Sequence, residues 1–268
     1  MHDLTELARR IEANAARAAA NGRESLRVGP FLATFHPTSD MIWLNHVVPA
    51  APLAERSFMV EHFEELRRLY RQHGRILRFE FLEALWPGLG PALERWGMEL
   101  QGRMPFMMCR RGELQAANAP GVEVRWVSAS DDDALLAEFA LTGKRNFGDT
   151  TSQVEPHEVP ELRAKLAGDR FRCAAGWIGG RMAGVGTMVV LGEELAGVGT
   201  LPEFRRRGVA VTVSSALLAD HFRRGGELAW LSAGDQVARD VYATIGFADA
   251  GVQLNYIDRS VDAKLRVP

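Results

Sequence analysis

The residues with the clearest capacity for chemistry are Arg205, Arg206, Arg207 and Gly208, taken with what flanks them. Residues 195–200 have the small side chains of a closely approached strand, 202–207 form a basic turn, and 208–223 carry a helical pattern. Val209, Val213, Ala216, Leu217 and Phe222 fall near one face of that helix. A strand that enters a helix through a tight turn leaves the first helical N–H groups without intrahelical acceptors. Those donors, the positive end of the helix and the neighbouring guanidinium groups suit a phosphate. Gly208 has no Cβ, so a ligand can come close to the backbone there. The chemistry expected of this stretch is the cradling of a phosphorylated ligand.

Composition bounds what surrounds it. The chain has 268 residues, 47% hydrophobic and 25% charged, enough for one large core or two smaller ones. A formal net charge of −2 argues against general nucleic-acid affinity, so a basic site must be local. The two cysteines, Cys109 and Cys173, lie far apart in apolar runs and read as reduced core residues. No histidine has a partner at metal-ligand spacing, and no metal is expected. Residues 1–17 are charged throughout and no run is long enough to span a bilayer, which gives the expectation of a soluble cytoplasmic protein. The sequence carries no signal for oligomeric state. Gly184-Val-Gly186 and Gly197-Val-Gly199 lack the later glycine of a dinucleotide fingerprint, and no phosphate-binding GK[ST] occurs.

The elements that must position the basic turn follow from periodicity and breakers. Leu4, Leu7, Ile11, Ala15 and Ala18 predict a first helix up to Asn21-Gly22. Strands are expected over 26–28, 31–35 and 41–48, a helix over 59–70, a strand over 75–79, a short helix over 91–96, and strands over 98–103 and 104–109. Residues 111–121 lack apolar periodicity, which places a boundary there: 1–113, a linker 114–121, and 122–268. The second half restarts with a strand over 122–127 and a helix capped at Ser130, whose Asp131, Asp132 and Asp133 suit a helix start better than a metal site. A loop over 146–155 and a helix over 159–167 follow. Strands 171–178 and 182–190 flank the hairpin signal Gly179-Gly180. After the basic turn and its helix come a strand over 228–232, a helix over 238–244 and a strand over 252–257. The six tryptophans, among them Trp43, Trp177 and Trp230, read as core.

Arg205-x-x-Gly208-x-Ala210 fits the Gln/Arg-x-x-Gly-x-Gly/Ala pattern of the GCN5-related N-acetyltransferases, which the second half resembles from the strand at 195–200 through Ala238-x-x-x-Tyr242-x-x-x-Gly246-Phe247. The resemblance implies an α/β protein in which each half is a mixed, mainly antiparallel sheet flanked by helices. Placing Trp96-Gly97-Met98 on Ile245-Gly246-Phe247 brings the preceding elements of both halves into the same order. The first half then has no Gly-containing basic turn, and Leu93 stands where Tyr242 would be. A tandem acetyltransferase-like chain whose first half has lost the cofactor site is expected; an unrelated α+β first half is the alternative.

The resemblance also implies roles. Acetyl-CoA would be the co-substrate and an amine-bearing acceptor the partner, joined by direct attack of a neutral amine on the thioester. Backbone N–H groups of Arg205, Arg206, Arg207, Gly208, Val209, Ala210 and Val211 would hold the pyrophosphate, with Arg206 and Arg207 supplying charge. The main chain of Val198 and Thr200 would pair with pantetheine beside Gly199, an unusual residue there that weakens the strand and widens the site. Tyr242 would donate a proton to, or hydrogen-bond, the departing thiolate; a phenol keeps its proton where a thiol has lost it. Asp235 stands where the family often has Asn; it either serves the pantetheine arm as an acceptor or caps the following helix. Glu193, Glu194, Asp149 and His157 are the candidates for a general base. An acyl-CoA sensor without catalysis, or transfer of a longer acyl group, are the alternatives.

Overall fold

The computed structural model describes residues 2–20, 22–50, 58–148 and 153–261, and the chain divides into two units, Met1–Phe106 with Ala250–Pro268, and Met107–Asp249. In unit 1, helix α1 (His2–Ala20) turns Ile11, Ala16 and Ala19 inward. Strands β1 (Glu24–Val28), β2 (Phe31–Phe35) and β3 (Val47–Pro49) pair antiparallel in succession. Helix α2 (Val60–Gln72) then leads to β4 (Arg78–Leu82), which runs parallel to β3 through Val47 and Phe79. Helix α3 (Leu89–Arg95) and β5 (Glu99–Arg110) follow. The other neighbour of β4 is β11 (Ala248–Ile257), antiparallel from Gln253 opposite Leu82 to Ile257 opposite Arg78. Phe31, Phe63, Leu66, Phe79, Leu89 and Leu93 fill the core. Arg67 Nε donates to the fully buried Asp258 at 2.7 Å, and Tyr256 Oη donates to Glu94 at 2.8 Å.

Three sequence expectations change here. Residues 41–48 are not one strand: Ile42–Leu44 is a 3₁₀ turn, and only Val47–Pro49 joins the sheet. The Asn45 side chain accepts from His36 N and donates to Ser39 O and Met41 O, so a side chain satisfies groups that a ladder would otherwise pair. Trp43 on this turn is 53% exposed and Trp126 43% exposed, so neither is core, whereas Trp177 and Trp230 are buried. The two strands expected over 98–109 are the single strand β5.

Unit 2 contains β6 (Glu123–Val127), α4 (Asp133–Asn146), α5 (Glu158–Leu166), β7 (Phe171–Ile178), β8 (Arg181–Val189), β9 (Glu194–Thr200), α6 (Val209–Arg223), β10 (Leu228–Ser232) and α7 (Gln236–Ala243). The strands lie in the order β6-β7-β8-β9-β10, antiparallel except for the parallel pair β9 and β10. Alternation sets the two faces. Cys173, Ala175 and Trp177 pack with Leu136 and Phe139 of α4, while Ala174 belongs with Val213 and Leu217 of α6. A Cβ on Gly176 or Gly184 would lie 2.8 Å from Val209, so these glycines let α6 sit close on the sheet. Helix α4 begins later than expected: Asp132, not Ser130, is its cap, accepting from Leu135 N at 2.8 Å.

The stretch expected as a linker, 114–121, is irregular and lies within unit 2. Gln115 N donates to Ile245 O at 3.0 Å, Ala117 N to Ser215 Oγ at 3.0 Å and Ala119 N to Thr212 Oγ1 at 2.9 Å. Partners outside the segment take its backbone donors, so it keeps its place without helix or strand periodicity.

The expected likeness of the two halves is visible in one detail. After α7, Ile245 N and Phe247 N donate to Tyr242 O and Gly246 N to Ala243 O. After α3, Trp96 N and Met98 N donate to Leu93 O and Gly97 N to Glu94 O. Gly97 and Gly246 both have positive φ, 86° and 104°. Leu93 therefore occupies the position of Tyr242 in the same helix-ending motif.

Candidate functional site

The basic turn links β9 to α6 through a 3₁₀ turn, Pro202–Phe204, whose Phe204 is buried. Arg205 is extended, Arg206 has φ 62° and Gly208 has φ 77°, so the chain twice enters the left-handed region before α6 begins. Gly208 is the N-cap and no side chain caps the helix; its carbonyl accepts the first helical bond from Thr212 N at 3.0 Å. The donors of Val209, Ala210 and Val211 thus precede the first intrahelical acceptor. Arg205, Arg206 and Arg207 are exposed around them. Arg205 Nε donates to Thr200 O at 3.4 Å, and the Arg207 guanidinium lies 5.8 Å from the Phe204 ring centre. Gly208 is required by more than ligand approach: a Cβ there would stand 2.4 Å from Ala119 Cβ.

Strand β9 has a β-bulge. Val185 pairs with Gly199 and Thr187 with Ala196, so Gly197 and Val198 together oppose Gly186. Gly197 takes φ 61°, the backbone state that such a bulge demands. On its other side β9 meets β10 through a single register pair, Glu194 and Trp230, with Trp230 N donating to Glu193 O at 2.9 Å. Beyond that pair no further register is formed among the described residues. Leu201 N donates to Ala183 O of β8 at 2.9 Å, so by alternation the main chain of Thr200 and Val198 faces the open side. An extended ligand segment can pair with such an edge.

Tyr242 lies on α7 at the apolar cluster of α6 and β10, 9% exposed, its ring 5.8 Å from Phe247 in an edge-on contact. Burial pushes its phenol up to about 12. Asp235 is the N-cap of α7, accepting from Ala238 N at 2.7 Å, so the capping alternative describes what its carboxylate does here.

The base candidates separate. Glu194 sits half-buried where β9 and β10 part. Glu193 is buried with φ 56° and lines a cavity of about 190 Å³ with Arg172, His221 and Arg224. His157 is exposed at the start of α5, and Asp149 lies outside the described residues. Burial raises the Cys109 thiol to about 12 and raises that of Cys173, so neither is a ready nucleophile. Among the described residues no three His, Cys, Asp or Glu side chains are grouped to hold a metal ion, and no helix is long and apolar enough to cross a membrane.

One residue at the site escaped the sequence reading. Asn146, last in α4, packs on Gly199: a Cβ on that glycine would lie 2.4 Å from Asn146 Cβ and 2.6 Å from its Nδ2. The room expected of Gly199 is therefore filled. Both Oδ1 and Nδ2 of Asn146 are buried, and among the described residues neither has a hydrogen-bond partner. Each such orphan costs about 1–3 kcal/mol. The signal that could have found it is Gly199 itself, a glycine inside a strand that marks a close approach.

The fold that carries this strand, turn and helix is also found in solved structures. The chain aligns with a GCN5-related N-acetyltransferase from Kribbella flavida over 94% of its own length and 95% of that chain, with a TM-score of 0.72 and 24% identity. This is the fold of the GCN5-related N-acetyltransferases. A tandem GNAT protein from the clavulanic acid biosynthesis pathway has the same fold, with a TM-score of 0.61, 12% identity, and coverage of 93% of this chain and 92% of that one. So does a GCN5-related N-acetyltransferase from Sphaerobacter thermophilus, with a TM-score of 0.59, 10% identity, and coverage of 86% and 80%. A family model described as FR47-like protein matches residues 182–255, the stretch of the acetyltransferase fold that contains β9, the basic turn, α6 and Tyr242. No curated protein sequence matches the chain.

Proposed function

We propose that the chain is an acetyl-CoA-dependent N-acetyltransferase that acetylates a primary amine, using the site in Met107–Asp249. The observation that carries this reading is the β9–turn–α6 geometry: uncapped N–H donors beside three exposed arginines, continuous with a strand whose outer edge has no register partner beyond Glu194 among the described residues. The first part fits a diphosphate and the second an amide-bearing arm. The donors of residues 206–211 with Arg206 and Arg207 hold the pyrophosphate, the Arg205 N–H being engaged with Pro202 O at 3.3 Å, and the main chain of Val198 and Thr200 holds pantetheine.

On this reading the amine lone pair attacks the thioester carbonyl, the C–S bond breaks, and coenzyme A leaves as the thiolate. Glu194, at the point where the strands part, is the base that takes the surplus proton from nitrogen. With a phenol held near 12, Tyr242 keeps its own proton and stabilises the thiolate by donating a hydrogen bond; the single proton that Glu194 takes from nitrogen is the one that later neutralises the thiolate. In Met1–Phe106 with Ala250–Pro268 the corresponding position is Leu93, and that unit does not take part in transfer.

Calorimetry with acetyl-CoA, followed by thiol release on adding primary amines, tests the proposal. Binding with amine-dependent release is expected, and Tyr242→Phe and Glu194→Gln should each slow turnover about tenfold or more at unchanged acetyl-CoA affinity. Heat without thiol release from any amine would identify a sensor instead. No heat at all would remove the cofactor from the reading.

A further inference from the structure

We propose that Asn146 positions the amine acceptor, its side-chain amide meeting the attacking nitrogen over Gly199. The inference rests on the transferase reading and names a residue that this reading leaves unused. Four observations carry it. First, Asn146 Oδ1 and Nδ2 are buried and, among the described residues, have no hydrogen-bond partner, so the bonding capacity of this amide is unspent. Second, the amide lies against Gly199, on the strand whose free edge faces the donor.

Third, the end of α4 is fixed in place. Gly143, one turn earlier, stands over Val185, and Val185 is the register partner of Gly199. Lys144 Nζ donates to Glu158 at 2.7 Å, tying α4 to the start of α5. Fourth, the opposite face is closed: Leu195, Val198, Val209, Val213 and Leu217 form one apolar cluster there. A nucleophile adds to a carbonyl from above or below its plane, so with the donor along β9 it must come from the face that holds Asn146. An amine N–H donated to Oδ1 leaves the nitrogen lone pair free for the carbonyl carbon, and Nδ2 donates to an acceptor atom beside the amine.

The test uses the full chain, Asn146→Ala, and a panel of methylamine, ethanolamine, spermidine and a lysine-containing peptide. With the panel amine turned over fastest by the unaltered chain, Asn146→Ala should raise the amine KM about tenfold, leave the calorimetric acetyl-CoA affinity within about twofold, and melt no lower than the unaltered chain because no hydrogen bond is lost. Asn146→Asp, which keeps the shape and the accepting oxygen, should recover part of the KM. An unchanged amine KM in Asn146→Ala overturns the inference and leaves the transferase reading intact; so does a lowered melting point with unchanged KM, which marks a packing residue. Acetyl-CoA binding with no amine turned over by the unaltered chain overturns both.

Discussion

Arg206 is an exposed non-glycine residue held at φ 62°, which costs about 1–2 kcal/mol relative to ordinary backbone. Strain of this kind persists where the surroundings impose it and is concentrated at ligand clamps. The proposed cradle gives it a purpose, because the same residue supplies backbone direction and positive charge. The two contributions can be separated. Arg206→Gly keeps the left-handed turn and removes the guanidinium, so thermal melting should stay level or rise slightly while acetyl-CoA affinity falls roughly tenfold, the worth of a charge-assisted hydrogen bond. Melting curves and calorimetry on one preparation check both halves; a fall in melting point with full affinity would assign Arg206 to the fold alone.

At the scale of elements, α7 carries Tyr242 and is started by Asp235. Asp235→Ala should destabilise the chain by about 1 kcal/mol and loosen the tyrosine, whereas Asp235→Asn should preserve both, since asparagine caps equally well. Chemical denaturation of the two variants decides it, and equal losses in both would mean that the charge matters rather than the cap. Much of this level was legible in the sequence. The basic turn, its helix, the Gly179-Gly180 hairpin and the order of strands in the second half follow from periodicity and breakers, because those elements are stabilised by local pattern and one-sided burial. What was not legible depends on side chains distant in sequence. The turn at Ile42–Leu44 exists because Asn45 satisfies its neighbours, the bulge at Gly197 because β8 fixes the register, and the pairing of Asn146 with Gly199 because α4 lies over β9. None of these contacts leaves a period in the sequence.

At the scale of the whole chain, unit 1 is assembled from two stretches, Met1–Phe106 and Ala250–Pro268. Strand β4 has β3 on one side through one register pair and β11 on the other through five. A fragment ending at Gly121 would bare that second edge, lose the Phe81–Tyr256 stack and leave Arg67 without Asp258. It should aggregate or melt without a cooperative transition, as followed by circular dichroism; a soluble fragment with a sharp transition would show β11 to be dispensable. Met107–Asp249, by contrast, is continuous in sequence. During synthesis the two units therefore mature in reverse order. The segment bearing the basic turn has every strand of its own unit once Asp249 has cleared the ribosome, while the earlier-made portion waits, one flank of its sheet bare, until Ile257 emerges.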